Sequence, residues 1–269
     1  MDDNAVFEVA QAFVEARRNG AILSEFPGQR PQSLTEAYHV QNAAIKIWNR
    51  QVGGWKVGRI PEPAATRYEK DRLAGPIFTD LIKSESADLA HFPIFHGGFA
   101  AAEAEFALRL GEGCVGTIPA TNEEAAEMVD AICIAVEIAS SPYARINEDG
   151  PLVTVSDHGN NNGLLLGQAV AQGNWSELDS IEVAMNVDGK KVGSATTATM
   201  LDGPFGAVRF LLENLAERGI AAEPGSWISS GAITGVHPVM LGSRVVASFE
   251  GLGQVELTIA DPGNGARSD

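Results

Sequence analysis

Apolar residues recur at helical spacing through the first fifth of the chain and at strand spacing through most of the rest. Val6, Val9, Ala10, Phe13 and Val14 share one helical face, and Gly20 follows the Arg17-Arg18 pair as a natural stop. Ser33-Leu-Thr-Glu36 has the form of a capping box before a second periodic segment of Leu34, Ala37, Val40, Gln41, Ala44, Ile45 and Trp48. From Gly53 the texture changes to short apolar runs punctuated by glycine: GGWKVG, CIAVEIA, NGLLLGQAV, IEVAMNV, KKVGSATTA, SWISSG, RVVASF and QVELTIA. These are strand signals. Asn186-Val-Asp-Gly189 predicts a hairpin turn, because Asp-Gly tolerates the positive φ angles such turns require. Two helices interrupt the strands. Thr121-Asn-Glu-Glu124 caps one, and Gly203-Pro204 opens another whose face (Phe205, Val208, Leu211, Leu212, Leu215) ends at Gly219. The pattern predicts an α+β fold with a helical N-terminal segment over 1–52, a strand-rich body over 53–260 and a loose tail over 261–269.

Within that frame the stretch FAAAEAEFALRLGEG, Phe99 to Gly113, is ambiguous. As a strand it places Ala104, Phe106, Leu108 and Leu110 on one face and Glu103, Glu105, Ala107 and Arg109 on the other, with the two glutamates ~6.6 Å apart along the backbone. As a helix, which Ala, Glu and Leu favour by propensity, the glutamates diverge. The flanking Gly97-Gly98 and Gly111 favour the strand. So does a third carboxylate, Glu137, in AICIAVEIASS, where Ile132, Ile134, Val136 and Ile138 form the opposite face. Three converging buried carboxylates repel one another unless a cation sits among them, and an all-oxygen set suits hard Mg²⁺ or Mn²⁺. The alternative leaves Glu103 and Glu105 on a solvated face and pairs Glu137 with a basic residue such as Arg145.

Charge narrows the ligand. The 269 residues carry a net charge of −16 with only 19 Lys and Arg, which excludes nucleic acid and anionic membrane surfaces as expected partners. A small ligand is expected, and an anionic one needs a local positive centre. Cys114 and Cys133 lack metal-knuckle spacing, the acidic amphipathic N-terminus is unlike a signal peptide, and no apolar run is long enough to span a bilayer. The expected location is cytoplasmic. No GxGxxG after a strand, P-loop or GxSxG element is present.

Glu103-Ala-Glu105 followed by Glu137-Ile resembles the Glu-x-Glu and Glu signature of the 2-keto-4-pentenoate hydratase and 4-oxalocrotonate decarboxylase family, within the fumarylacetoacetase superfamily. GGWKVG resembles that family's lysine-bearing strand, and NGLLLG its central apolar strand. The segment from GPFGAVRF to GQVEL, with Ser230, Gly231 and Thr234 in a Ser-Gly-x-x-Thr element, is similar to its C-terminal half. The resemblance runs from about Leu34 to Leu257. It implies a fumarylacetoacetase-like mixed sheet, a homo-oligomer, and Mg²⁺ or Mn²⁺ held by Glu103, Glu105 and Glu137. It further implies a hydratase adding water to a 2-hydroxy-2,4-dienoate to give a 4-hydroxy-2-oxo acid. The alternatives are a 4-oxalocrotonate-type decarboxylase or a catalytically silent partner subunit. Lys56 is the expected contact for the substrate carboxylate or carrier of a proton, and Ser230 and Thr234 are expected to hydrogen-bond the substrate. Asp157 and His158 are the candidate acid–base pair, since His titrates near neutrality. Two departures stand out: SDHGNNNG, Ser156 to Gly163, replaces an Asp-Asn-x-Ser type stretch, and Ala74 occupies a position where the family often has an acid, with Asp71 or Asp80 as candidate substitutes.

Overall fold

The computed structural model describes residues 1–86 and 89–260, so the expected tail over 261–269 lies outside the described residues. Two helices open the chain, α1 (Asp3–Asn19) and α2 (Leu34–Trp48). Asp2 caps α1, and Gly20 ends it at φ 62°. Ser33 caps α2 by accepting from the Glu36 amide at 3.2 Å, while the Glu36 carboxylate turns back to the Gln32 amide at 2.7 Å. The helices pack against each other through Val9, Ala10, Phe13, Val14, Val40 and Ala44, together with Tyr143, Ile146 and Val153.

Among the described residues thirteen strands follow, interspersed with four further α-helices. In chain order they are β1 (Val52–Arg59), α3 (Ala64–Tyr68), β2 (Arg72–Phe78), β3 (Ile82–Ser84), β4 (Ala90–Pro93), β5 (Phe99–Leu110), α4 (Asn122–Glu127) and β6 (Val129–Ser141). Then come α5 (Pro151–Ser156), β7 (Asn161–Ala169), β8 (Glu182–Val187), β9 (Lys190–Thr196), α6 (Gly203–Glu217), β10 (Trp227–Ser229), β11 (His237–Pro238), β12 (Arg244–Phe249) and β13 (Gly253–Ala260). An 8-stranded sheet runs β2-β1-β10-β5-β6-β7-β3 with β11 on β5, and a 5-stranded sheet runs β4-β13-β12-β8-β9. The predicted hairpin joins β8 to β9, with Asp188 at φ 53° and Gly189 at φ 76°. The main core lies between the sheets and under α6, where Phe106, Leu108, Ile134, Val136, Val208, Leu211, Val245 and Leu257 are buried together. This is the expected α+β body with its helical N-terminal segment.

Phe99–Leu110 is a strand despite its helical composition. It sits between β10 and β6, so its backbone groups are satisfied on both sides and its apolar face packs into the core. Tertiary pairing overrides local propensity here. The antiparallel register with β6 sets Glu103 directly opposite Glu137. Six short or fully buried elements escaped the sequence pattern: α3, β2, β3, β4, α5 and β11. RLAGPIF is the fully buried strand β2, which tolerates Pro76 because it lies at the edge of the sheet. α5 is too short to show a helical period.

Candidate metal centre

Strand alternation places the site. Ala104 and Phe106 of β5 and Val136 of β6 point into the main core, so Glu103, Glu105 and Glu137 emerge on the other face of the same sheet. Their relative exposures are 5%, 0% and 0%, and one carboxylate oxygen from each lies within 4.8 Å of the others. Lys56 of β1 joins them, with its Nζ 3.2 Å from Glu137 Oε1 and 3.3 Å from Asn160 Oδ1.

The supporting hydrogen bonds are directional. Asn161 Nδ2 donates to Glu137 Oε1 at 2.8 Å. The Ser229 hydroxyl and the Gly231 amide both donate to Glu105 Oε2, the latter at 2.9 Å. Each of these carboxylates therefore has one oxygen fixed by protein donors. The remaining oxygens, Glu105 Oε1 and Glu137 Oε2, are buried and have no hydrogen-bond partner. Orphaned buried carboxylate oxygens are costly unless something electropositive meets them. Burial pushes the Glu103 carboxyl up to about 7, with Lys56 opposing and Glu137 reinforcing the shift. Burial, then the charges of Glu137 and Glu103, raise Glu105 well above the ordinary carboxylate range. For Lys56, desolvation favours loss of the proton, but Glu137, Glu103 and Glu105 outweigh it and hold the ammonium charged. Three oxygen ligands, two of them oriented from behind and left unpartnered in front, match what a hard divalent cation requires.

Of the alternative reading, Glu137 does pair with a basic residue, but it is Lys56 and not Arg145, which is exposed and pairs with Asp149 at 2.8 Å, and Glu103 and Glu105 are buried rather than on a solvated face. Arg109, on the glutamate face of β5, turns outward to Asp130 at 2.7 Å.

Four of the residues expected in the site point elsewhere. Asp157 is buried, but both of its carboxylate oxygens are taken by Arg17, at 2.5 and 2.9 Å. His158 is wedged edge-on against Phe78 and Trp48, at 5.2 and 6.0 Å between ring centroids. Burial, aided by the Arg17 charge, drives its imidazole down to about 3, so the expected titration near neutrality is corrected to a neutral ring. Ser230 spends its hydroxyl as acceptor for the Phe106 amide at 3.2 Å, and Thr234 contacts His237 at 3.0 Å. The adjacent Ser229 takes the place in the site that was expected of Ser230, because the glutamate face of β10 is set one residue earlier. Asp71 and Asp80 do not replace the acid missing at Ala74: they are exposed and pair with Arg72 and Arg50. Asn160, Asn161 and Ser229 are the members that sequence reasoning passed over. Their signal was faint, an Asn-rich departure from the family stretch and a Ser-Ser pair whose strand phase was open.

A 4-oxalocrotonate decarboxylase of Pseudomonas sp is 26% identical over 264 residues, spanning 94% of this chain and 97% of that protein. One from Pseudomonas putida is 29% identical over 147 residues, spanning 54% of this chain and 53% of that one. Among solved structures, 4-oxalocrotonate decarboxylase from Pseudomonas putida G7, complexed with magnesium and adipate, has the same fold, with TM-score 0.77 at 20% identity over 96% of this chain and 98% of that one. Fumarylpyruvate hydrolase from Pseudomonas aeruginosa, in complex with Mn²⁺ and pyruvate, follows at TM-score 0.58 and 16% identity, over 77% of this chain and 88% of that one. The fumarylacetoacetate (FAA) hydrolase C-terminal family matches residues 81–260, more than half of the sequence and the part that carries all three glutamates, so the chain belongs to the FAA hydrolase family.

Proposed function

We infer that the protein is a divalent-metal-dependent decarboxylase of a 2-oxo acid of the 4-oxalocrotonate type, using Mg²⁺ or Mn²⁺ held by Glu103, Glu105 and Glu137. The observation that carries this reading is the composition of the buried face. It keeps three carboxylates and a charged lysine, while Asp157 and His158 are committed elsewhere and Ala74 offers no carboxylate. Hydration needs a group that activates water; decarboxylation needs a stabilised electron sink and a dry site. The alignment of a 4-oxalocrotonate decarboxylase along nearly the whole chain supports the same choice, so the expectation of a hydratase gives way to its alternative.

A bound divalent ion supplies a Lewis acid that stabilises negative charge developing on the C2 oxygen of the 2-oxo acid. The protein's own groups supply the rest. Lys56, kept protonated by its three carboxylate neighbours, gives an otherwise acidic chain a fixed positive centre for an anionic substrate. As the bond to the departing carboxyl breaks, its electron pair passes through the conjugated carbons toward C2–O, and Lys56 Nζ holds a proton that can return to carbon. Asn160 and Glu137 fix the position of that Nζ, and Asn161, Ser229 and Gly231 fix the ligand oxygens. Near-complete burial of the carboxylates excludes bulk water.

Turnover of 4-oxalocrotonate with Mg²⁺, followed by CO₂ release, tests the reading against 2-hydroxypenta-2,4-dienoate hydration in the same buffer. CO₂ release without water addition supports it. Hydration alone restores the hydratase, and no turnover of either by metal-loaded protein indicates a silent subunit. The reading carries a homo-oligomer in a reducing cytoplasm. Both cysteines are buried and free, and among the described residues no helix is long and apolar enough to cross a membrane. Light scattering of the purified chain tests the oligomer.

A further inference from the structure

Three consecutive residues between α5 and β7 adopt left-handed backbone conformations: His158 at φ 54°, Gly159 at φ 64° and Asn160 at φ 59°. For a residue with a side chain this costs about 1–2 kcal/mol, and such strain persists only where the surroundings over-determine it. The turn is tightly enclosed. A Cβ on Gly75 would lie 2.1 Å from the His158 carbonyl oxygen, and one on Gly159 would lie 3.0 Å from Lys56 Cδ. What the turn presents is the amide of Asn160, accepting from Lys56 at 3.3 Å, and, immediately after it, the amide of Asn161, donating to Glu137 at 2.8 Å.

One side chain holds both ends of this segment. The buried Arg17, on α1, grips the Asp157 carboxylate with Nε and Nη2, the Asn161 carbonyl with Nη1 at 3.1 Å, and the Ser140 carbonyl on β6 with Nη2 at 3.1 Å. Nη1 also reaches Asn162 Oδ1 at 3.4 Å, Nη2 reaches the Asp157 carbonyl at 3.4 Å, and the guanidinium lies 5.5 Å from the centre of the Phe95 ring. The planar fork thus spans the start of the turn, the start of β7 and the end of β6 three residues beyond Glu137.

We propose that Arg17 is a positioning residue of the metal centre, clamping the left-handed turn so that Asn160 and Asn161 hold Lys56 and Glu137 in register, which makes α1 a working part of the site. The inference rests on the metal reading above. Donors behind metal ligands typically change affinity 10- to 100-fold when removed.

The test is calorimetric titration of chelator-treated protein with Mn²⁺, comparing wild type, Arg17→Lys and the double variant Arg17→Gln/Asp157→Asn. The double variant removes both charges, so no unpaired ion is left buried and the chain can fold. The expected result is binding weakened about tenfold in the double variant, and weakened in Arg17→Lys, which keeps the charge but loses the fork. Hydrogen exchange at the 158–161 amides of the metal-free double variant should be faster than in wild type. A folded double variant with wild-type Mn²⁺ affinity overturns the inference alone, since a merely structural arginine would lower the melting temperature and leave affinity unchanged. A wild-type protein that binds no Mn²⁺ overturns the metal reading, and this inference with it.

Discussion

If Glu103 is a metal ligand, the stabilisation conferred by Mg²⁺ must grow with pH up to neutrality. The perturbation is pH itself, applied to chelator-treated and Mg²⁺-loaded protein in parallel. Glu103 rises from 4.5 to about 7 in the folded, metal-free chain. A raised carboxylate stabilises the metal-free fold below its unfolded pKa, and that contribution is lost as pH climbs through the folded value. The ion needs the ionised form, so each unit below neutrality costs binding about 1.4 kcal/mol from this one group. Between about pH 7 and pH 5.5 the loss is therefore about 2 kcal/mol, or roughly 4–8 °C in the gap between the two melting temperatures. The raised Glu105 acts in the same direction. His158, depressed to about 3, works oppositely on absolute stability, destabilising the fold as pH falls below about 6.5, but it is common to both samples and cancels in the gap. Differential scanning calorimetry at fixed free Mg²⁺ reads the gap directly. A gap independent of pH, or one that shrinks as pH rises toward neutrality, would refute the ligand assignment.

Other outcomes follow from the same contacts. Lys56→Met should retain or strengthen Mn²⁺ binding, because a competing cation is removed, yet lose on the order of 10²-fold or more in kcat under metal saturation; steady-state kinetics beside calorimetry separates the two. Asn161→Ala, which strips the donor from Glu137 Oε1, should weaken metal affinity by about 10- to 100-fold. Ser229→Ala and Ser230→Ala should divide: the first weakens metal binding, the second leaves it intact and costs roughly 1 kcal/mol of stability in chemical denaturation. Replacing His158 with Phe should leave the pH profile of turnover in place, since the neutral ring has no proton to exchange near pH 7.

Sequence pattern carried the architecture because periodicity and caps are local. Both N-terminal helices, the Asp188-Gly189 hairpin and α6 follow from residues within a few positions of each element. The glutamate triad was legible for a different reason: once Phe99–Leu110 is a strand, its period of two forces Glu103 and Glu105 together. Local propensity favoured a helix there and only the flanking Gly97-Gly98 and Gly111 and the third carboxylate, Glu137, spoke for a strand; what fixes the strand is its pairing with β6 and β10. The remaining shell was illegible because it depends on phase and on long-range contact. Ser229 and Ser230 are chemically identical neighbours, and the strand phase of β10 alone decides which one meets Glu105. Asp157 and His158 read as a candidate acid–base pair because a histidine ordinarily titrates near neutrality. Their fate was set by Arg17, 140 positions away from Asp157, and by two aromatic rings from other elements.

The central claim, a divalent-metal site built from Glu103, Glu105 and Glu137, is tested most directly by calorimetric titration of chelator-treated protein with Mg²⁺ and Mn²⁺, with and without oxalate as a planar chelating mimic of a 2-oxo acid. The account predicts binding of one ion per chain, accompanied by proton release near pH 6, strengthened by oxalate and abolished in Glu105→Gln. Absence of binding for both ions, or unchanged binding in Glu105→Gln, would contradict it.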